Sequence, residues 1–205
     1  MLLNKIKSSL VPIGILIFFV TMSYNTRGQS RFSMSVDTAP VYERFGYSAS
    51  VTEGVPFNTW GARLGTSLHV RLAPRWSLSS GLWLEWKGNK RSTIGNYRDF
   101  SIHSFKVPLL VHYTLSDKRL SPYFSAGLVW DKFKYSVYSN SKPQESITIF
   151  NVVAKPQIKY LLGAGVKYRI NEYLAGTLQP TFEYGARSGT RSYQVSLQTQ
   201  LVFQF

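Results

Sequence analysis

Apolar and polar residues alternate with period two along most of the chain. That spacing belongs to a strand whose two faces meet different surroundings. The cleanest stretch is Trp60 to Leu72, with Trp60, Ala62, Leu64, Thr66, Leu68, Val70 and Leu72 on one face. Gly61, Arg63, Gly65, Ser67, His69 and Arg71 occupy the other. Trp76 to Lys87 repeats the pattern, with Trp83 as an exception on the polar face. Tyr193 to Phe205 sets Val195, Leu197, Leu201 and Phe203 against Gln194, Ser196, Gln198 and Gln200. Five further segments alternate less cleanly: Phe32–Pro40, His103–Leu115, Pro122–Lys132, Ile158–Ile170 and Leu174–Tyr184. Eight strands result, most of about 10 to 13 residues, where soluble strands average about five or six and bilayer-spanning strands need roughly nine to eleven.

The predicted connections alternate in length. Val41–Thr59, Gly88–Ile102 and Phe133–Gln157 are long, and Gly185–Ser192 is intermediate. Ala73–Arg75, Ser116–Ser121 and Asn171–Tyr173 are short. Outer-membrane barrels carry short periplasmic turns and longer external loops. Aromatic residues of the apolar face gather at strand ends. Trp60, Trp86 and Trp130 fall near the long loops; Trp76, Tyr168, Phe203 and Phe205 fall near the short turns. Two aromatic girdles enclosing an aliphatic band are expected of a barrel in lipid. The predicted fold is therefore all-β: an eight-stranded antiparallel up-and-down transmembrane β-barrel. Pro108 and Pro180 fall inside predicted strands, where a missing N–H predicts a bulge or kink.

Residues 1–30 read as a cleaved signal peptide. Lys5 and Lys7 precede an uncharged apolar run, Leu10 to Val20, and small residues allow cleavage after Gly28 or Ser30. The run is too short to span a bilayer as a helix. Residues 31–205 would form the barrel domain, exported to the cell outer membrane. There is no cysteine, which excludes disulfides, a thiol nucleophile and a lipidated Cys. The formal charge is +14, and removing the leader's Lys5, Lys7 and Arg27 leaves +11. On an exported chain such charge suits anionic lipid head groups rather than nucleic acid.

Several stretches resemble one family. Gly81–Gly88, reading GLWLEWKG, is similar to a stretch of the PorT-like outer-membrane barrels of Bacteroidetes, which are small OmpA/OmpX-like barrels. Val107–Val111 (VPLLV), Tyr123–Gly127 (YFSAG) and Leu162–Tyr168 (LGAGVKY) resemble successive strands of the same family, and Phe205 resembles its terminal aromatic insertion signal. Gln200 stands where a glycine is often found in that signal. The resemblance implies an eight-stranded barrel with no cofactor and, from the family's named member, a tie to protein secretion and gliding.

Eight strands enclose an interior just wide enough for side chains. The polar face should fill it as a plug. Glu85, Asp131 and Glu183 point inward, as do Arg63, Lys106 and Lys159, and an internal salt-bridge network centred on the three acids is expected. Arg71, Lys87, Lys167 and Arg169 lie near strand ends and are expected to reach water at the rims. The three histidines are His69, His103 and His112. His103 and Ser104 are neighbours on a strand, so they face opposite ways and cannot form a nucleophile–base contact. His69 and His112 face inward and are expected to hydrogen-bond within the plug. No catalytic, cofactor or metal site is assigned.

Arg91, Arg98, Arg187 and Arg191 form a basic outer rim suited to lipopolysaccharide phosphates. The expected partners are outer-membrane lipid, lipopolysaccharide, and secretion-system or envelope proteins. A non-enzymatic structural or interaction barrel is the first reading. A lipid-A-modifying enzyme, a small solute channel and a soluble lipocalin-like barrel with its apolar face inward remain as alternatives.

Overall fold

A computed structural model describes residues 31–47, 57–93, 96–141, 146–153, 155–187 and 190–205. The leader assigned to residues 1–30 lies outside them. The described residues form nine strands. They are β1 (Phe32–Tyr47), β2 (Phe57–Ala73), β3 (Trp76–Thr93), β4 (Asn96–Thr114), β5 (Leu120–Ser141), β6 (Ser146–Val153), β7 (Gln157–Arg169), β8 (Leu174–Arg187) and β9 (Thr190–Gln204). All pairings are antiparallel.

The ring runs β1-β2-β3-β4-β5-β7-β8-β9, and β9 returns to β1 from Ser33↔Gln204 to Tyr47↔Thr190. It has eight staves. Closure leaves no sheet edge within the ring, so most of its backbone donors and acceptors are paired without water. Strand β6 is not a ninth stave. Along one edge of β5, Leu120–Asp131 pairs with β7 and Lys134–Ser141 pairs with β6.

The alternation decides which face goes where. Leu68, Leu162 and Val195 lie on the outside, Leu68 with 63% of its surface exposed. Ser67, Gln179, Gln194 and Gln198 lie buried inside. This polarity is that of a chain solvated by lipid outside and by its own polar groups inside. It overturns the lipocalin-like alternative, which needs the apolar face inward.

The strands reach further toward the long connections than the alternation predicts. β1 continues beyond Pro40 to Tyr47, and β2 starts at Phe57. β3 and β4 run to Thr93↔Asn96, well into the stretch assigned to the Gly88–Ile102 loop. β8 and β9 likewise meet at Arg187↔Thr190. The expected loop Phe133–Gln157 holds the upper part of β5 and all of β6. The upper parts of β3, β4, β5 and β6 therefore form a continuous four-stranded wall on one side of the barrel mouth.

The prolines produce no bulge. Antiparallel residues send their N–H and C=O to one neighbour only, so proline disturbs one ladder and leaves the other intact. The β3–β4 ladder skips the pairs around Pro108 and resumes in the same register, from Ser80↔Leu109 to Trp83↔Lys106. Pro108 still pairs with Val129 on its other side. Pro180 interrupts β7–β8 between Gly163↔Thr181 and Val166↔Leu178, and stays in register with Leu197. A register shift instead falls between Arg71 and Ala73, beside the β2–β3 turn.

Candidate functional site in the interior and at the outer rim

An ionic chain crosses the interior. Asp131 Oδ2 lies 3.0 Å from Lys159 Nζ, which lies 2.6 Å from Glu43 Oε1. Glu43 also pairs with Lys87, and Lys87 Nζ is 2.6 Å from Glu85 Oε1. The Oε2 atom of Glu85 accepts from Arg63 Nη2 and from Lys106 Nζ, both at 3.0 Å. Arg63 and Lys106 both continue to Glu183, the latter at 2.9 Å. Gln194 accepts from Lys106 at 2.9 Å and donates to Glu85 at 3.0 Å and to Glu183 at 3.2 Å.

Four carboxylates thus meet four cations. With Gln194 included, the network draws a residue from every stave of the ring. Its members are essentially excluded from solvent, with Lys106 at 0% exposure. An isolated charge here would cost several kcal/mol, and mutual pairing removes most of that cost. A one-residue register slip would turn these charges toward lipid, so the network also specifies strand pairing.

Beneath it lies a second polar cluster. Asp37 is buried and accepts from Ser35 Oγ at 3.1 Å, Ser67 Oγ at 2.6 Å and Trp83 Nε1 at 3.1 Å. Ser35 Oγ also meets His69 Nε2 at 3.0 Å. Ser35 thus stands between the Asp37 carboxylate and the His69 ring. A hydrolytic triad places the histidine between serine and acid, and the order here is different. His112 contacts Ser79 Oγ at 2.6 Å and the Tyr123 hydroxyl at 2.7 Å.

Trp83 joins the two layers. It is wholly buried, and the Arg63 guanidinium sits 4.5 Å over its ring. Directly opposite in the β2–β3 ladder is Gly65, where a Cβ would collide with the Trp83 indole. The apparent exception in the β3 alternation is thus a filled interior position whose room is provided by a glycine.

The structure brings Arg63, Glu85, Lys106, Asp131, Lys159 and Glu183 together. It corrects the rim placement of Lys87, which is buried between Glu43 and Glu85. Arg169 is exposed. Asp37 and Glu43 are further interior acids, and Glu43 lies in the stretch Val41–Thr59 that the alternation assigns to a loop. Continuing the β1 alternation past Pro40, through Val41, Glu43 and Phe45, would have placed Glu43 inside.

On the exterior, Trp60, Trp76, Trp86, Trp130, Tyr168, Phe203 and Phe205 all face outward. Arg191 is exposed at the outer end of β9. Arg91, Arg98 and Arg187 belong to β3, β4 and β8, and their side chains lie outside the described residues. His103 is exposed outward and Ser104 is buried inward, so the strand separates that pair.

No protein-family model matches the chain, and no curated protein matches it in sequence. Solved structures match it in fold. Neisserial surface protein A superposes with a TM-score of 0.51 at 15% identity, covering 87% of this chain and 100% of its own. Outer membrane protein OprG from Pseudomonas aeruginosa gives 0.52 at 10% identity, covering 86% and 98%. At such identity the likeness concerns architecture: like these two proteins, the chain is a small closed eight-stranded antiparallel barrel.

Proposed function

We infer that the chain is a non-enzymatic outer-membrane barrel with a structural or interaction role, standing with its short turns and both described termini toward the periplasm. The observation that carries this reading is the reversed polarity of the molecule: large apolar side chains outside and a closed ionic network within. The outer surface suits lipid, and the basic rim suits lipopolysaccharide. A plug of paired side chains fills the space that a small solute channel would use. The interior histidines are committed to serine and tyrosine partners, which favours a structural role over lipid-A modification. The four-stranded wall of β3 to β6 offers a platform for envelope or secretion-system proteins. An accessory role in secretion agrees with the PorT-like resemblance of Gly81–Gly88.

Heat-modifiable gel mobility of protein from purified outer membranes tests the first part. An unboiled band running ahead of the boiled one is expected, followed by crosslinks from the wall to an envelope protein. A soluble periplasmic protein with no mobility shift would overturn the reading.

A further inference from the structure

Outside the barrel, polarity changes sharply along β5. The outward side chains read Phe124, Ala126, Leu128, Trp130, and then Lys132 and Lys134. Across the ladders, Lys132 pairs with Phe105, Lys134 with His103, and His103 in turn with Trp86. Directly opposed residues stand about 4.5–5.5 Å apart at Cβ. Lys132 and Lys134 are next neighbours on one face of one strand. Lys132, Lys134 and His103 therefore share one outward patch across β3, β4 and β5 with the rings of Trp86 and Phe105.

The patch is concave. A hollow of about 350 Å³ opens there, lined by Trp86, His103, Phe105, Lys132 and Lys134 together with wall residues including Glu85 and Ser104. The Glu85 carboxylate belongs to the interior, where Arg63, Lys87 and Lys106 hold it. Among the described residues, no acid pairs with Lys132 or Lys134. This contrasts with the interior, where each cation of the network has a carboxylate. Of the ten acids in the chain, Asp37, Glu43, Glu85, Asp131 and Glu183 are buried inside. The excess positive charge is thereby left to the exterior.

Leu84 also lines the hollow, and below it the surface continues as Leu82, Leu109 and Leu128, all exposed and apolar. A ligand seated here meets cations at one end and an acyl-compatible wall at the other. A soluble anion would use only the first.

We propose that this hollow binds the phosphate groups of a phosphorylated outer-leaflet lipid. Lys132, Lys134 and His103 hold the phosphates, Trp86 and Phe105 form the aromatic floor, and the acyl chains lie along the leucines beneath. The proposal rests on the membrane-barrel reading and gives its lipid contact a location.

The test uses full-length mature barrel refolded in detergent micelles, with bound lipid counted by native mass spectrometry. The probes are a bisphosphorylated diglucosamine glycolipid and the same lipid after dephosphorylation. The wild type is expected to hold the phosphorylated form about tenfold more tightly, the scale of one charge-assisted hydrogen bond. The triple variant His103→Gln/Lys132→Gln/Lys134→Gln should bind both forms equally, and Lys132→Arg/Lys134→Arg should keep the preference. A wild type without preference, or a triple variant that retains it, overturns the site. Heat-modifiable mobility of each sample separates the two readings: a wild type that never forms the compact band defeats the membrane barrel itself. If the triple variant does not fold, Lys134→Gln alone, at an exposed position, should weaken the preference, and an unchanged preference there also overturns the site.

Discussion

Glu43 links Lys87 and Lys159, which sit on opposite sides of β1 in the ring. Removing its charge leaves two buried lysines short of a partner. Glu43→Gln should cost about 3–5 kcal/mol, the range for breaking a buried pair from one side. Urea unfolding in lipid vesicles measures it, and a loss under 1 kcal/mol would show that water reaches this layer. Trp83 and Gly65 give a second residue-scale expectation. Gly65→Ala forces a Cβ into the indole and should cost about 1–3 kcal/mol, as overpacking does. Trp83→Leu should recover part of that loss in the double variant, and a cycle with purely additive effects would refute the contact. The inward direction of Arg63, Glu85, Lys106 and Glu183 was legible because it follows from parity along a strand. Which lysine meets which acid was not, since parity carries no information about distance across the ring.

At the scale of the element, the alternation marks a strand only while its outer face touches lipid. Past the aromatic level that demand ends, and the pattern inverts. Ile102 and Phe45 turn inward and are buried, while His103 and Arg44 turn outward. Sequence reading ended the strands at this inversion, and so mistook the tops of β1, β3, β4 and β5 for loops. β6 was missed for the same reason. Its register with β5 implies an independent module. Deleting residues 137–150 and joining Ser136 to Asn151, which are direct partners, by a two-residue Asn-Gly turn should leave the barrel below unchanged. The shortened protein is expected to keep its heat-modifiable band and unfolding midpoint while losing wall-dependent crosslinks. Loss of the compact band would mean that the wall helps to close the ring.

For the whole molecule, the separation of faces makes a direct optical prediction. Of five tryptophans, Trp60, Trp76, Trp86 and Trp130 face outward and Trp83 lies inside. Brominated acyl chains should quench the first four. A variant with phenylalanine at those four positions should emit from Trp83 alone and resist quenching; strong quenching would place Trp83 in lipid. Leu68→Arg, on the outer face at mid-strand, should cost about 2–4 kcal/mol by vesicle unfolding. A silent substitution would reverse the assigned facing.

Period-two alternation is a local property, so it fixes the all-β class and the parity of the eight ring strands; that the apolar face turns outward follows from the structure, where Leu68, Leu162 and Val195 lie outside and Ser67, Gln179 and Gln194 inside. The pairing of Asp131, Lys159, Glu43, Lys87, Glu85 and Glu183 into one chain, the fit of Trp83 over Gly65 and the wall built on β5 were decided only by tertiary structure. Each depends on ring closure and strand register, which bring together residues that no local pattern connects.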